Sequence, residues 1–180
     1  MHKLIIGAVT VAALLGAPAA AGAATAAPPK WTPVTDPLFS GQHNGSITLP
    51  ATFCAFGVKV AVVANGELRN VTTLPDGTTV IKIMGPLVLR FTNKTTPSKT
   101  IVKDVSGFTT TVSPKGNITE QGAGASWFVI GPGGRKNTGE PGLVFTNGPV
   151  TVTAAVEASQ ETVQTFSVHG TQENGCALLS

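Results

Sequence analysis

The first strongly patterned strand of the chain reads FCAFGVKVAVV, residues 53–63. Its apolar side chains recur at every second position from Phe56 to Val62, which is the period of a strand that buries one face. Cys54 lies near its start, and the only other cysteine, Cys176, lies close to the C-terminus. We therefore expect this segment to be the first core strand of a domain. The C-terminal residues around Cys176 are expected to lie next to it.

Turn residues divide the sequence that follows. Asn65-Gly66, Asp76-Gly77 and Asn147-Gly148 tolerate the positive φ of tight turns, so the first two predict hairpins in a meander. The apolar run Trp127–Ile130 is expected to cross the core. The turn-marked spacing indicates ten to twelve strands, and the sequence shows no amphipathic helical spacing. We therefore predict an all-β, single-domain antiparallel β-sandwich, with a flattened β-barrel as the alternative.

The N-terminus has the composition of an export signal. A short basic start precedes an apolar run at 4–15, and cleavage near Ala23 or Ala26 is expected. We assign residues 1–26 to a signal peptide, 27–44 to an extended proline-containing leader, and 45–180 to the β-sandwich domain. No later run reaches the ~20 apolar residues of a membrane helix, so the mature form is expected to be secreted and extracellular, with no membrane span.

Export also determines how the two cysteines are interpreted. Oxidising compartments favour disulfides, so we expect one Cys54–Cys176 bridge. It would close a loop of ~120 residues and stabilise the fold by about 4 to 5 kcal/mol in the chain-entropy model. The alternative of free or redox-active thiols lacks a Cys-x-x-Cys pair. With the thiols bridged and no acidic cluster, neither a metal nor another cofactor is expected.

Charge is distributed unevenly along the mature chain. Eight Lys and Arg face three acidic residues from Lys59 to Lys115, whereas two basic residues face five glutamates beyond Gly116. A basic centre can mark an anionic partner such as a cell-wall polymer or nucleic acid. The lysines are dispersed through strand-like segments, however, as on solvated strand faces, so no nucleic-acid partner is expected.

The glycine-rich segment 131–142 is the candidate contact loop. It carries Arg135, Lys136, Asn137 and Glu140, but it lacks the Gly-x-x-x-x-Gly-Lys-Ser/Thr order of a phosphate-binding loop. Two readings stay open, an exposed partner contact and a mobile connector.

Catalytic residue types are scarce. Only His43 and His169 remain after the signal, and there is no Gly-x-Ser-x-Gly. Ser167 and His169 share a strand face, as ordinary surface neighbours do, so no catalytic residue is assigned. Phe39, Phe108 and Phe145 are possible exposed aromatic platforms, although core packing is the expected fate of such side chains. Four Asn-x-Ser/Thr triplets begin at Asn44, Asn70, Asn93 and Asn117, and we expect no glycans there.

Several short motifs resemble uncharacterised small secreted β-domain proteins of actinobacteria. They are the alanine-rich signal, residues 53–56 (FCAF), residues 104–107 (DVSG), the Gly-Pro-Gly segments and the ending 175–179 (GCALL). The resemblance covers roughly residues 45–180. It implies a bacterial extracellular β-domain and transfers no functional residue.

Function is predicted only at the level of class. The first expectation is a secreted, non-catalytic binding or structural module that contacts an extracellular protein or a cell-envelope component. The alternatives are a secreted inhibitor or antagonist that presents loop 131–142, and a hydrolase with an unrecognised site. The sequence names neither the partner nor the oligomeric state.

Overall fold

The computed structural model describes residues 30–34, 45–105, 107–130, 142–157 and 160–180, with the backbone alone for 155–157 and 160–164. Strands occupy most of this part of the chain, so the predicted all-β fold is confirmed. The elements are β1 Thr32–Pro33, β2 Ser46–Leu49, β3 Val58–Asn65, β4 Leu68–Thr73, β5 Thr79–Met84, β6 Leu87–Asn93, β7 Thr100–Val105, β8 Phe108–Val112, β9 Ile118–Gly122, β10 Ala125–Ile130, β11 Gly142–Asn147, β12 Val150–Glu157, β13 Gln160–Val168, β14 Thr171–Asn174 and α1 Gly175–Leu179.

These strands form three antiparallel sheets. A seven-stranded sheet has the order β1-β4-β5-β8-β9-β12-β13, a four-stranded sheet has the order β2-β3-β6-β7, and a three-stranded sheet has the order β10-β11-β14. The predicted sandwich is confirmed. Each sheet in the described residues is open at two edges, so the flattened-barrel alternative is wrong.

Most strands are halves of longer strands that bend from one sheet into another. β3 continues into β4, and the antiparallel pair β3 and β6 is extended by the pair β4 and β5. In the same way, the pair β10 and β11 is extended by the pair β9 and β12. Strands that switch sheets at bends form the corners of packed sheets. The seven-stranded sheet therefore passes into the four-stranded sheet through one set of corners and into the three-stranded sheet through another.

This arrangement confirms one of the two predicted hairpin turns and contradicts the other. Asp76-Gly77 does close the β4–β5 hairpin: Gly77 has φ +83°, and its N–H donates to the Leu74 carbonyl at 2.9 Å. The hairpin predicted at Asn65-Gly66 is wrong, because β3 and β4 lie in different sheets. Asn65 Oδ1 accepts from the Glu67 N–H at 2.9 Å, and this contact shapes a corner.

The three-stranded sheet is the middle layer. Its side chains Trp127, Val129, Leu143 and Phe145 pack against the four-stranded sheet, including fully buried Phe91, whose ring centroid lies 4.8 Å from that of Phe145. Phe128 points the other way and meets Phe166 of the seven-stranded sheet at 5.0 Å. A strand covered on both faces reads as a continuous apolar run, so the prediction that Trp127–Ile130 crosses the core is confirmed.

Alternation in the first patterned strand is also confirmed, although the strand begins later than expected. Val58 and Val60 are completely buried, and Phe56 and Val62 pack against the same core. Residues 51–56 form a turn rather than a strand, and Ala55 has φ +59°. Cys54 therefore lies in a turn in front of β3.

The C-terminal residues are held to this turn. The predicted Cys54–Cys176 disulfide is confirmed, with a Cα–Cα distance of 5.1 Å. Cys176 belongs to α1, an element that the sequence pattern did not predict and that Asn174 caps by accepting from the Ala177 N–H at 3.1 Å. Leu179 is fully buried, and its carbonyl accepts from Asn93 Nδ2 at 2.9 Å. Several contacts thus fix the end of the chain.

Part of the expected leader joins the seven-stranded sheet. Thr32 and Pro33 form β1 along β4, and Val34 packs with Ile81 and Ile83. The expected signal peptide at 1–26 lies outside the described residues. Within the described part of the chain, no helix is long and apolar enough to cross a membrane; α1 has five residues.

Candidate binding surface

The seven-stranded sheet has an inner face packed on the core and an outer face dominated by hydroxyl groups. On β8, Thr110 is 1% exposed, whereas its neighbours Thr109 and Thr111 reach solvent. β12 repeats this pattern, with buried Val152 between Thr151 and Thr153. We call the outward side chains the hydroxyl face; they are Thr109, Thr111, Thr119, Gln121, Thr151, Thr153, Thr165 and Ser167, bordered on β5 by Val80 and Lys82.

Strand register aligns these side chains in two cross-strand rows. The first row runs Lys82, Thr109, Gln121, Thr151 and Ser167. The second row runs Val80, Thr111, Thr119, Thr153 and Thr165. Neighbouring strands lie about 4.8 Å apart, so each row of five strands extends for about 19 Å. The result is a regular array of small polar groups.

The side chains of the hydroxyl face are mostly uncharged, and they can both donate and accept hydrogen bonds. Each threonine hydroxyl can donate one hydrogen bond and accept others. Thr153 Oγ1 and Thr165 Oγ1 already lie 2.6 Å apart across β12 and β13, at an exposed position. Among its described side chains, only Lys82 at the border carries a charge. The face can therefore exchange hydrogen bonds with a neutral ligand at many points.

The nearest buried carboxylate belongs to the opposite side of the sheet. Glu120 is 7% exposed and faces inward between Thr110 and Val152 in the ladder. The hydroxyl oxygens of Thr110 and Thr146 are buried and find no hydrogen-bond partner within the described part of the chain. These polar groups belong to the interior, and they add no charge to the hydroxyl face.

A groove adjoins the hydroxyl face at the corner where the chain passes between the seven-stranded and four-stranded sheets, from β5 into β6 and from β7 into β8. It is an open depression rather than an enclosed pocket, with a volume of about 600 Å³. Exposed Met84 and half-buried Phe108 contribute apolar walls, and Asp104 contributes a carboxylate. We call this depression the corner groove.

The corner groove and the hydroxyl face form one surface. Thr109 and Gln121 line the groove and are also consecutive members of the first row. A ligand seated in the groove can therefore continue along that row without leaving polar contacts. The expectation that Phe108 packs in the core is met only in part, because Phe108 packs against the cluster of Ile81 and Ile83 but stays half-buried beside the groove.

Residues 131–141 of the predicted contact loop lie outside the described residues, and its last residue, Gly142, begins β11. The undescribed range includes Arg135, Lys136, Asn137 and Glu140, and Phe39 and His43 also lie outside the described residues. The lysine-bearing strands are only partly available for a partner. Lys103 Nζ lies 2.6 Å from Glu173 Oε2 and 5.0 Å from the Phe145 ring centroid, so its charge is engaged within the fold.

The predicted Ser167–His169 neighbours do come together. Ser167 Oγ lies 3.3 Å from His169 Nε2, and both side chains are exposed at the end of the first row. Such an open position suits surface hydrogen bonding. The described residues contain no group of three or more His, Cys, Asp or Glu placed to hold a metal ion.

The fold buries the asparagine side chain of two of the four glycosylation triplets. Asn93 is 4% exposed and donates to Leu179, and Asn70 is 7% exposed and donates to the Lys30 carbonyl at 3.2 Å. A glycan on either amide would have to displace these contacts. Asn117 is exposed, and Asn44 lies outside the described residues.

Sequence reasoning missed the hydroxyl face, although a local signal exists. Residues 151–153 read Thr-Val-Thr, which predicts two threonines on the face opposite Val152, whereas residues 109–111 are all threonine and show only a local enrichment. Which threonines face outward together, and their alignment into rows, depends on long-range register. Comparison with known proteins found no matching family model, no matching curated protein and no matching solved structure.

Proposed function

We propose that the protein is an exported, extracellular, non-catalytic binding module that contacts a cell-envelope component. The observation that carries this proposal is the continuity of the corner groove with the first row of the hydroxyl face, through Thr109 and Gln121. Lysines and glutamates would keep a solvent-exposed sheet face from aggregating equally well, so solvent exposure alone does not account for a face of threonines. An ordered array of neutral hydroxyls beside a groove favours a binding role.

The rigid framework supports the same role. The hydroxyl face is built on strands, and strand-borne sites hold their geometry better than loop-borne sites. Its inner side is packed by Val150 and Val152 against Phe128 of the middle sheet. The disulfide suits an oxidising environment. The binding surface is therefore already ordered before the proposed ligand binds, so little conformational entropy is lost on binding.

A pulldown from isolated cell walls and culture supernatant tests the proposal. Thr119 lies at the centre of the second row, so Thr119→Arg places a long cation in the middle of the hydroxyl face. Thr48→Arg is the matched control, because Thr48 is exposed on the four-stranded sheet. We expect Thr119→Arg to lower partner recovery about tenfold or more, equivalent to about 1.4 kcal/mol of lost binding.

The control defines how the result is judged. Thr48→Arg should recover partners as the unchanged protein does, and both variants should keep the wild-type circular dichroism spectrum. Undiminished recovery with a folded Thr119→Arg protein would place the contact outside the hydroxyl face and overturn the proposal.

A further inference from the structure

We infer that the ligand of this surface is a neutral, hydroxyl-rich linear polymer, that is, an uncharged glycan strand. This inference rests on the proposed binding function and names the chemical class that the surface fits. It follows from the hydrogen-bonding capacity, the charge and the shape of the described residues.

Hydrogen-bonding capacity favours a polyol. Threonine hydroxyls both donate and accept, so their best partners also do both. The two rows repeat this group at inter-strand steps of about 4.8 Å. A ligand with hydroxyls at repeated positions can satisfy many of them at once, and a glycan strand has that composition.

Charge argues against an anionic polymer. Binding a polyanion depends mainly on rows of Lys and Arg that neutralise its charges. On the hydroxyl face, the described side chains include one cation, Lys82, at the border. The corner groove instead contains the carboxylate of Asp104, which would repel an anion and can accept a hydrogen bond from a sugar hydroxyl.

Shape and apolar contacts favour a chain over a folded protein or a flat crystalline surface. Protein interfaces depend on central aromatic, Met or Arg anchors, whereas the described centre of this face is threonine. Adjacent strands are rotated by roughly 20°, so the rows twist in a way that a flexible chain can follow. Exposed Met84 shares the outward face of β5 with Lys82 and can pack against the C–H face of a sugar ring at the groove.

Affinity electrophoresis provides the test. The mature protein is run through native gels that contain dextran, soluble starch, hydroxyethylcellulose or galactomannan, with alginate as the anionic control. We expect at least one neutral polymer to retard the protein, with little change between low and high salt. The triple variant Thr111→Val, Thr119→Val and Thr153→Val removes hydroxyls while keeping branched side chains, and it should weaken retardation tenfold or more. Thr48→Val is the control and should run as the wild type does.

Cell walls treated with periodate, which cleaves vicinal diols, separate this inference from the proposed function. Loss of wild-type binding after treatment supports a glycan ligand, and it does not depend on any variant folding. Periodate-insensitive binding that Thr119→Arg still abolishes would keep the binding function and overturn the glycan assignment. Salt-sensitive retardation by alginate alone would overturn it as well. Absence of binding to walls and to every polymer would overturn both.

Discussion

Removing the Cys54–Cys176 disulfide is the perturbation whose effect follows most directly from the topology. The bridge joins residues 122 positions apart, from the turn before β3 to the C-terminal helix. In the chain-entropy model, the lost entropy is about 2.1 + 1.5R ln n cal/mol/K, or about 16 cal/mol/K for this loop. At 25 °C this amounts to about 5 kcal/mol of stability. Natural domains have ~5–15 kcal/mol in total, so the expected loss is a large fraction.

The native contacts around the bridge indicate which state the change affects. Leu179 is fully buried in the core, and its carbonyl accepts from Asn93. These contacts need no disulfide, so the folded protein should keep its structure after the bridge is removed. The loss should arise in the unfolded chain, which becomes more expanded and exposes more surface. The dependence of unfolding free energy on urea, the m value, should therefore rise.

Urea unfolding followed by tryptophan fluorescence measures both quantities, because Trp127 is buried in the core. The double variant Cys54→Ala and Cys176→Ala avoids placing a new hydroxyl in the partly buried site. We expect a lower midpoint, a larger m value and a loss of about 5 kcal/mol, with a similar loss in reduced wild type. A loss below about 1 kcal/mol with an unchanged m value would refute the reasoning.

Four further outcomes are expected. Leu179→Ala should cost about 2–5 kcal/mol in urea unfolding, because the side chain is fully buried, whereas half-exposed Leu178→Ala should stay within about 0.5 kcal/mol. A cost below that of the Leu178 control would contradict the C-terminal packing. Asn93→Ala should cost about 1–3 kcal/mol, since it leaves the buried Leu179 carbonyl without its donor; an unchanged midpoint would argue against this bond. The Thr78 backbone N–H, and then its side chain, lower the pKa of Asp76 below its ordinary 3.8. The resulting turn stabilisation is present above that ordinary value and is lost as pH falls through the folded pKa, which a carboxyl NMR titration can check; a pKa at or above 3.8 would contradict it. Thr78→Val should bring the Asp76 pKa closer to its ordinary value while keeping the backbone contribution, and an unaltered titration would show that the hydroxyl plays no part.

Local alternation made much of the core predictable. Val58 and Val60 are fully buried as the period of two requires, because burying one face of a strand fixes which residues point inward. The run at Trp127–Ile130 was equally informative, since an uninterrupted apolar strand needs cover on both sides. The disulfide followed from the number and placement of the cysteines.

The corners were not predictable from local sequence. Asn65-Gly66 and Asp76-Gly77 are similar dipeptides, yet the first bends the chain between sheets and the second closes a hairpin. Gly77 adopts a positive φ in its turn, whereas Asn65 and Gly66 do not; such a dipeptide tolerates either conformation, and the choice depends on which distant strand each segment pairs with. The hydroxyl face escaped prediction for the same reason, because its rows exist only once β8, β9, β12 and β13 are in register.

NMR mapping of the ligand footprint tests the binding surface most directly. Amide shifts of the 15N-labelled protein are recorded while soluble polysaccharide released from cell walls is added. We predict that the largest changes fall on β8, β9 and β12, around Thr109, Gln121 and Thr151, with smaller changes around Thr48 on the four-stranded sheet. Changes concentrated in segment 131–142, with the hydroxyl face unaffected, would contradict this assignment and return the contact to the loop that carries Arg135 and Lys136.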